Sequence, residues 1–163
     1  MTIKNNPPSQ QQISRAKTLL NIWNRIDRHV AHHEKLITLI AQHSFDAGSG
    51  ADELINKIID RMFNKERLCI LKNKIESLAM SLSGGCAQII RFYFLDKIPT
   101  TEICITNGTS SRTVFRQLKT GVEEFASRLG EIGMNTYTFN DLLKDYSWIK
   151  GIYEQVCNGE QII

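Results

Sequence analysis

The sequence predicts an all-α protein, and three observations lead there. Apolar residues recur at alternating spacings of three and four through most of the 163 residues. Clusters of Gly, Ser, Asp and Asn punctuate that pattern at 44–52, 83–85, 107–110 and 130–133. No segment alternates with the two-residue period of a strand, and no internal repeat is visible. The expected architecture is a long antiparallel helical hairpin, then two short helices joined by a tight corner, then a C-terminal amphipathic helix.

Residues 1–12 are polar and carry Pro7-Pro8, which predicts a flexible lead-in. The hairpin is expected over 13–83. From Ile13 to His43, Ala16, Leu19, Trp23, Ile26, Val30, His33, Ile37 and Ile40 form a seam with no Gly or Pro inside it. Such a helix is about 45 Å long at 1.5 Å per residue, and Ser14 is the expected cap. SFDAGSGAD (44–52) reads as a loop, with Asp52 as the N-cap of a second helix reaching Leu82. That helix has one stripe of Leu54, Ile55, Ile58, Ile59 and Met62, and another of Leu68, Leu71, Ile75, Leu78 and Leu82. The two fall out of phase across Asn64-Lys65-Glu66, which predicts a stutter or slight bend.

The segment 84–130 carries the most information. An apolar-rich helix ends near Asp96, a barely two-turn helix spans Thr100–Thr106, and Asn107-Gly108-Thr109-Ser110 makes a corner. A third helix starts at Ser110 or Ser111, where Ser110 can accept from the amide of Arg112 or Thr113. Val114, Leu118, Gly121, Val122 and Phe125 share its inner face, with Gly121 allowing another helix to approach closely. Ser111, Arg112, Phe115, Arg116 and Lys119 point outward from the first two turns. This is the layout in which a helix-turn-helix offers a recognition helix to the major groove. Arg112 and Arg116 suit bidentate contact to guanine, and Lys119, Thr101 and Thr113 suit phosphates. Phe115 suits either a thymine methyl or the core. The competing interpretation is a plain corner between core helices with solvated arginines.

Residues 89–129 resemble region 4 of the sigma-70 family, without a gap over about 40 residues. Ile89-Ile90 match the first apolar pair, Ile98 the Leu before the scaffold helix, and Glu102-Ile103 the Glu-Ile, with Cys104 at the small Ala. Gly108, Ser110, Thr113-Val114 and Leu118 match the turn Gly, its Ser, the Thr-Val and the following Leu. Asn107 stands where the family has an apolar core residue, Phe115 at a usually polar position, and Glu123-Glu124 in place of a basic pair. The aromatic, basic segment of sigma region 2 has no counterpart after ADELINKIIDRMF (51–63). Over residues 13–129 the layout resembles the small sigma-like transcription activators of bacteriophages and integrative elements.

That resemblance implies a sequence-specific activator. It binds double-stranded promoter DNA and assists RNA polymerase, alone or with its housekeeping sigma. Two alternatives stay open: a divergent sigma factor with an unrecognised region 2, and a helical anti-sigma or adaptor protein whose motif binds protein.

Other classes are disfavoured. A net charge of +3 carries no basic tail, so any nucleic-acid surface must come from local placement of charge. No apolar run spans a bilayer and the N-terminus lacks a signal-peptide h-region, so a cytoplasmic location without membrane contact is expected. Cys69, Cys86, Cys104 and Cys157 show no C-x-x-C spacing and read as reduced, half-buried thiols. His29 and His33 have the spacing of a metal pair, but no carboxylate or Cys cluster completes a site, and His33 falls in the seam. Neither a nucleophile elbow nor a phosphate loop is present, so no enzyme, cofactor or metal is expected. The C-terminal stripe of Phe139, Leu142, Leu143, Tyr146, Ile149, Tyr153 and Val156 predicts one helix over 134–158 that packs back or dimerises. A homodimer could use that stripe or the hairpin seam.

Overall fold

The computed structural model describes residues 7–43 and 50–159, and every regular element in them is helical. Parts of the expected lead-in, inter-helix loop and C-terminal tail (1–6, 44–49 and 160–163) lie outside the described residues. No helix among the described residues is long and apolar enough to cross a membrane.

The first helix, α1, spans Gln10–His43 and begins earlier than expected. Ser9, not Ser14, caps it. The Ser9 hydroxyl accepts from the Gln12 amide at 3.2 Å, and the Gln12 side chain accepts from the Ser9 amide at 2.8 Å. This reciprocal box satisfies two amides that the first turn leaves unpaired. Ser14 is instead buried one turn inside, together with Arg15, Thr18 and Asn21.

The second helix, α2, spans Ala51–Met80. Asp52 lies in its first turn rather than at the cap, and the Gly50 carbonyl accepts from the Glu53 amide at 3.1 Å. Of its two apolar stripes, Leu68, Leu71, Ile75 and Leu78 are buried, as is Leu82 just beyond. In the earlier stripe Ile55, Ile59 and Met62 are exposed.

The remaining elements are short. α3, Cys86–Ile90, runs on into a π-helical turn, Arg91–Leu95. The turn ends where the Asp96 amide bonds back to the Arg91 carbonyl and Lys97 adopts φ 55°. α4 is Thr100–Asn107 and α5 is Ser111–Ser127. The expected linker after Leu129 is a 3₁₀ turn, Leu129–Ile132, followed by α6, Thr136–Asp145, and α7, Ser147–Cys157.

The single C-terminal helix expected over 134–158 is therefore two. The break is at Tyr146, which is extended (φ −129°, ψ 93°) and buried. The 3–4 phase continues across it, so periodicity alone did not mark it. After the break Ile149 and Ile152 are buried and Tyr153 is only half-buried, so the inward face has rotated by about one residue.

The chain divides into two compact units that cut across the expected domain boundaries. One gathers the residues up to Asn24 with those from Lys74 onward; the other is Arg25–Asn73. In the first unit the start of α1 is a central helix. Ala16, Leu19, Leu20 and Ile22 are fully buried, and several of its polar residues are hydrogen-bonded, although Arg15 Nε is buried without a partner among the described residues. Thr18 donates to the Ser14 carbonyl at 2.8 Å, and Lys97 donates to the Asn21 side chain at 3.0 Å. Arg15 donates to the Thr136 hydroxyl at 2.9 Å and lies 5.7 Å from the centre of the Phe139 ring, which in turn meets Tyr153 edge-on. The C-terminal helices thus pack back on α1 of the same chain.

In the second unit α1 and α2 run in opposite directions, since Asp27 pairs with Lys72 at 2.6 Å and Glu34 with Lys65 at 2.9 Å. Its buried residues are Ile26, His33, Leu68 and Leu71. All four cysteines are free thiols, with Cys86 buried and Cys157 exposed rather than half-buried.

Candidate nucleic-acid interface

The corner between α4 and α5 is built by backbone hydrogen bonds around one left-handed glycine. Gly108 has φ 59° and ψ 33°, a conformation that costs a side-chain-bearing residue free energy. Its amide reaches the Ile105 carbonyl at 3.3 Å, and the Thr109 amide reaches the Cys104 carbonyl at 3.0 Å. That pair of bonds is a Schellman ending, which stops α4 and redirects the chain within two residues. Ser110 then accepts from the Thr113 amide at 3.3 Å and starts α5. The expected cap is in place with Thr113 as the donor.

α5 has two unlike sides. Val114, Leu118, Gly121, Val122 and Phe125 are all buried, in the expected phase. Gly121 sits against α3, where a Cβ would lie 2.7 Å from Ile90 Cγ1 and 3.3 Å from Cys86 Cβ. The glycine is what lets the two helices approach so closely. At 100° per residue Arg116 lies opposite that inner face, with Arg112 and Lys119 on its flank. Ser111, Arg112, Phe115, Arg116 and Lys119 are exposed, and Thr113 is half-buried beside the cap. Thr101 is exposed in the first turn of α4. Arg112 and Arg116 have no ion-pair partner among the described residues, and Lys119, itself largely in solvent, meets Glu123 only at 4.0 Å. A pair that exposed holds Lys119 weakly.

Phe115 belongs neither to the core nor wholly to the basic face. It is 56% exposed and walls one side of a cleft of about 380 Å³ that also includes Lys17, Tyr93, Lys119 and Val122. The sequence offered no sign of this cleft, because its other wall comes from the first turns of α1.

Two further features escaped the sequence reading. Glu124 is turned away from the basic face and accepts from the Ser83 amide at 3.0 Å and the Ser83 hydroxyl at 2.6 Å. Arg128 stands 3.6 Å from Glu124, donates to the Ser81 carbonyl at 3.0 Å and pairs with Glu131 at 2.8 Å. Together they clamp the turn that leads from α2 into α3. The i,i+4 spacing of Glu124 and Arg128 was the available signal, but their partner at 81–83 lies some forty residues away. The second feature is a defect: the Asn107 side-chain amide and the Thr109 hydroxyl are buried without a hydrogen-bond partner among the described residues.

No group of three or more His, Cys, Asp or Glu among the described residues is arranged to hold a metal ion. No known family model matches the chain, and neither does any curated protein or solved structure.

Proposed function

We propose that α4, the Gly108 corner and α5 form a helix-turn-helix of the sigma region 4 kind, and that the protein is a sequence-specific transcription activator. It binds promoter DNA and assists RNA polymerase there. One observation carries this reading. Two exposed arginines, without an ion-pair partner among the described residues, occupy the first two turns of a helix whose opposite face is anchored without a gap. Arg112 and Arg116 read base edges, guanine being the natural match for a guanidinium fork. Thr101, Ser111, Thr113 and Lys119 hold phosphates and set the register. Glu123 weakens the far end of the basic face, which confines the contact to the first turns. The antiparallel pairing of α1 and α2 supplies the helical hairpin of the same architecture. The link to polymerase rests on the likeness to region 4.

The test begins with a duplex selected from a random pool, with affinity measured by gel shift over a range of salt. Affinity should fall steeply with salt, in proportion to the phosphates contacted. Arg116→Ala should weaken the selected site by about 1–3 kcal/mol and relax the preference at one base position. Salt-independent binding, or an unchanged site preference in both Arg112→Ala and Arg116→Ala, sinks the reading. Transcription from a template carrying the selected site, with polymerase with and without its housekeeping sigma, then separates an activator from a true sigma factor.

A further inference from the structure

We propose that an exposed apolar stripe along the first two-thirds of α2 is a self-association surface, and that a second copy of this chain covers it through an antiparallel α2–α2 contact about a two-fold axis. Ile55, Ile59, Met62, Phe63 and Ile70 are 52%, 41%, 56%, 60% and 47% exposed. At 100° per residue they fall within an arc of about 100°, the width of a core-facing stripe. The neighbouring side of the same stretch already faces α1, where Leu54 and Ile58 are half-buried and Lys65 reaches Glu34. A single partner helix covers only one side of a helix that is apolar on two.

Area and charge select the occupant. The five side chains expose roughly 500 Å², at the upper end of the largest apolar patch a monomer shows. Doubled across a two-fold axis and widened by the polar flanks, that reaches the ~1,200 Å² at which stable interfaces begin. A parallel, in-register pairing would set Asp52, Asp60 and Glu66 each against its own copy, which repels. An antiparallel pairing centred between Ile59 and Phe63 seats Ile59 of each copy on Phe63 of the other. The same register brings Glu66 to the Asn56 amide of the other copy, and Asp52, at the outer end of the stripe, level with Ile70 and one turn from Asn73 of the other copy. The patch is thus complementary to itself, as a two-fold contact requires.

The surface lies wholly within Arg25–Asn73 and does not depend on the DNA-binding reading. The test is sedimentation equilibrium of the full chain across the micromolar range. The wild type should approach twice the protomer mass of 18.6 kDa. Ile59→Glu and Phe63→Glu should each raise the dissociation constant at least ~100-fold, as removal of a central apolar anchor does. Both positions face solvent in the protomer, so far-UV circular dichroism should be unchanged. Tyr137→Glu, at an 81% exposed position on α6, should leave the mass unaltered. A wild type that stays at the protomer mass at every concentration overturns the proposal, as does a dimer that neither glutamate disturbs.

Discussion

Gly121 and Asn107 stand on opposite sides of the same balance between packing and polarity. A methyl at Gly121 would enter the side chain of Ile90, which is fully buried and has nowhere to go. Gly121→Ala gains about 1 kcal/mol of helix propensity, yet overpacking costs about 1–3 kcal/mol. We expect a melting temperature lower by a few degrees, and Gly121→Val lower still, by differential scanning calorimetry. A rise on Gly121→Ala would mean that α3 yields easily. Asn107 runs the other way. Its side-chain amide is buried without a partner among the described residues. Asn107→Leu removes a desolvation cost of about 1–3 kcal/mol and should raise the melting temperature. A lower one would show that the amide has a bound water or another partner worth keeping.

Within the elements, the α1–α2 pair carries a built-in response to acid. Burial holds the His33 imidazole below its ordinary pKa, and the nearby Arg61 of α2 and His32 of α1 push the same way. His29 is lowered too, first by burial and then by His32, His33, Arg28 and Arg25. A depressed folded-state pKa means that the unfolded chain binds the extra proton first. The stabilisation is complete above the unfolded value near 6.5 and is lost as pH falls below it toward the folded values. Thermal melts should therefore lose stability as buffers are taken from neutral to mildly acidic, and His33→Gln should flatten that slope. An unchanged slope in the variant would place the acid sensitivity elsewhere. The α1 start tests a different device. Ser9→Ala removes one half of the capping box and should cost about 0.5–2 kcal/mol, while Ser14→Ala should act through the buried interior instead.

Across the whole molecule, stability is expected to be uneven. The unit built from both ends of the chain holds nearly all the fully buried side chains, including Leu19, Ile90, Val114, Phe125 and Phe139. Among its described residues Arg25–Asn73 has only Ile26, His33, Leu68 and Leu71 inside, and its Glu34–Lys65 and Asp27–Lys72 pairs lie at the surface. Amide hydrogen exchange should show Ile55–Phe63 opening at lower free energy than Ile89–Leu95 or Val114–Phe125. Uniform protection across both would contradict the division. If the second copy covers α2 as proposed, protection at Ile55–Phe63 should increase with protein concentration.

Local chemistry made much of this legible before any coordinates. The 3–4 spacing of Val114, Leu118, Val122 and Phe125 determined which way α5 faces, and hence that Arg112 and Arg116 look outward. Gly108 marked the corner, since only a residue without a Cβ takes that backbone freely, and Ser110 marked the cap. The Ser9–Gln12 box is equally readable in the sequence, although Ser14 lies closer to the apolar run. What the tertiary structure alone decided are the matters that depend on partners far apart in sequence. It buried Ser14, Arg15, Thr18 and Asn21, because the start of α1 is covered on more than one side, with Lys17 left at the surface, and periodicity describes a helix with one covered face. It broke the C-terminal helix at Tyr146 although the phase runs straight through, because both halves must reach the same core. It turned Glu124 onto Ser83 and away from the basic face. And it left Ile55, Ile59, Met62 and Phe63 exposed, where spacing shows that a face is apolar but only the folded chain shows that none of the described residues covers that face.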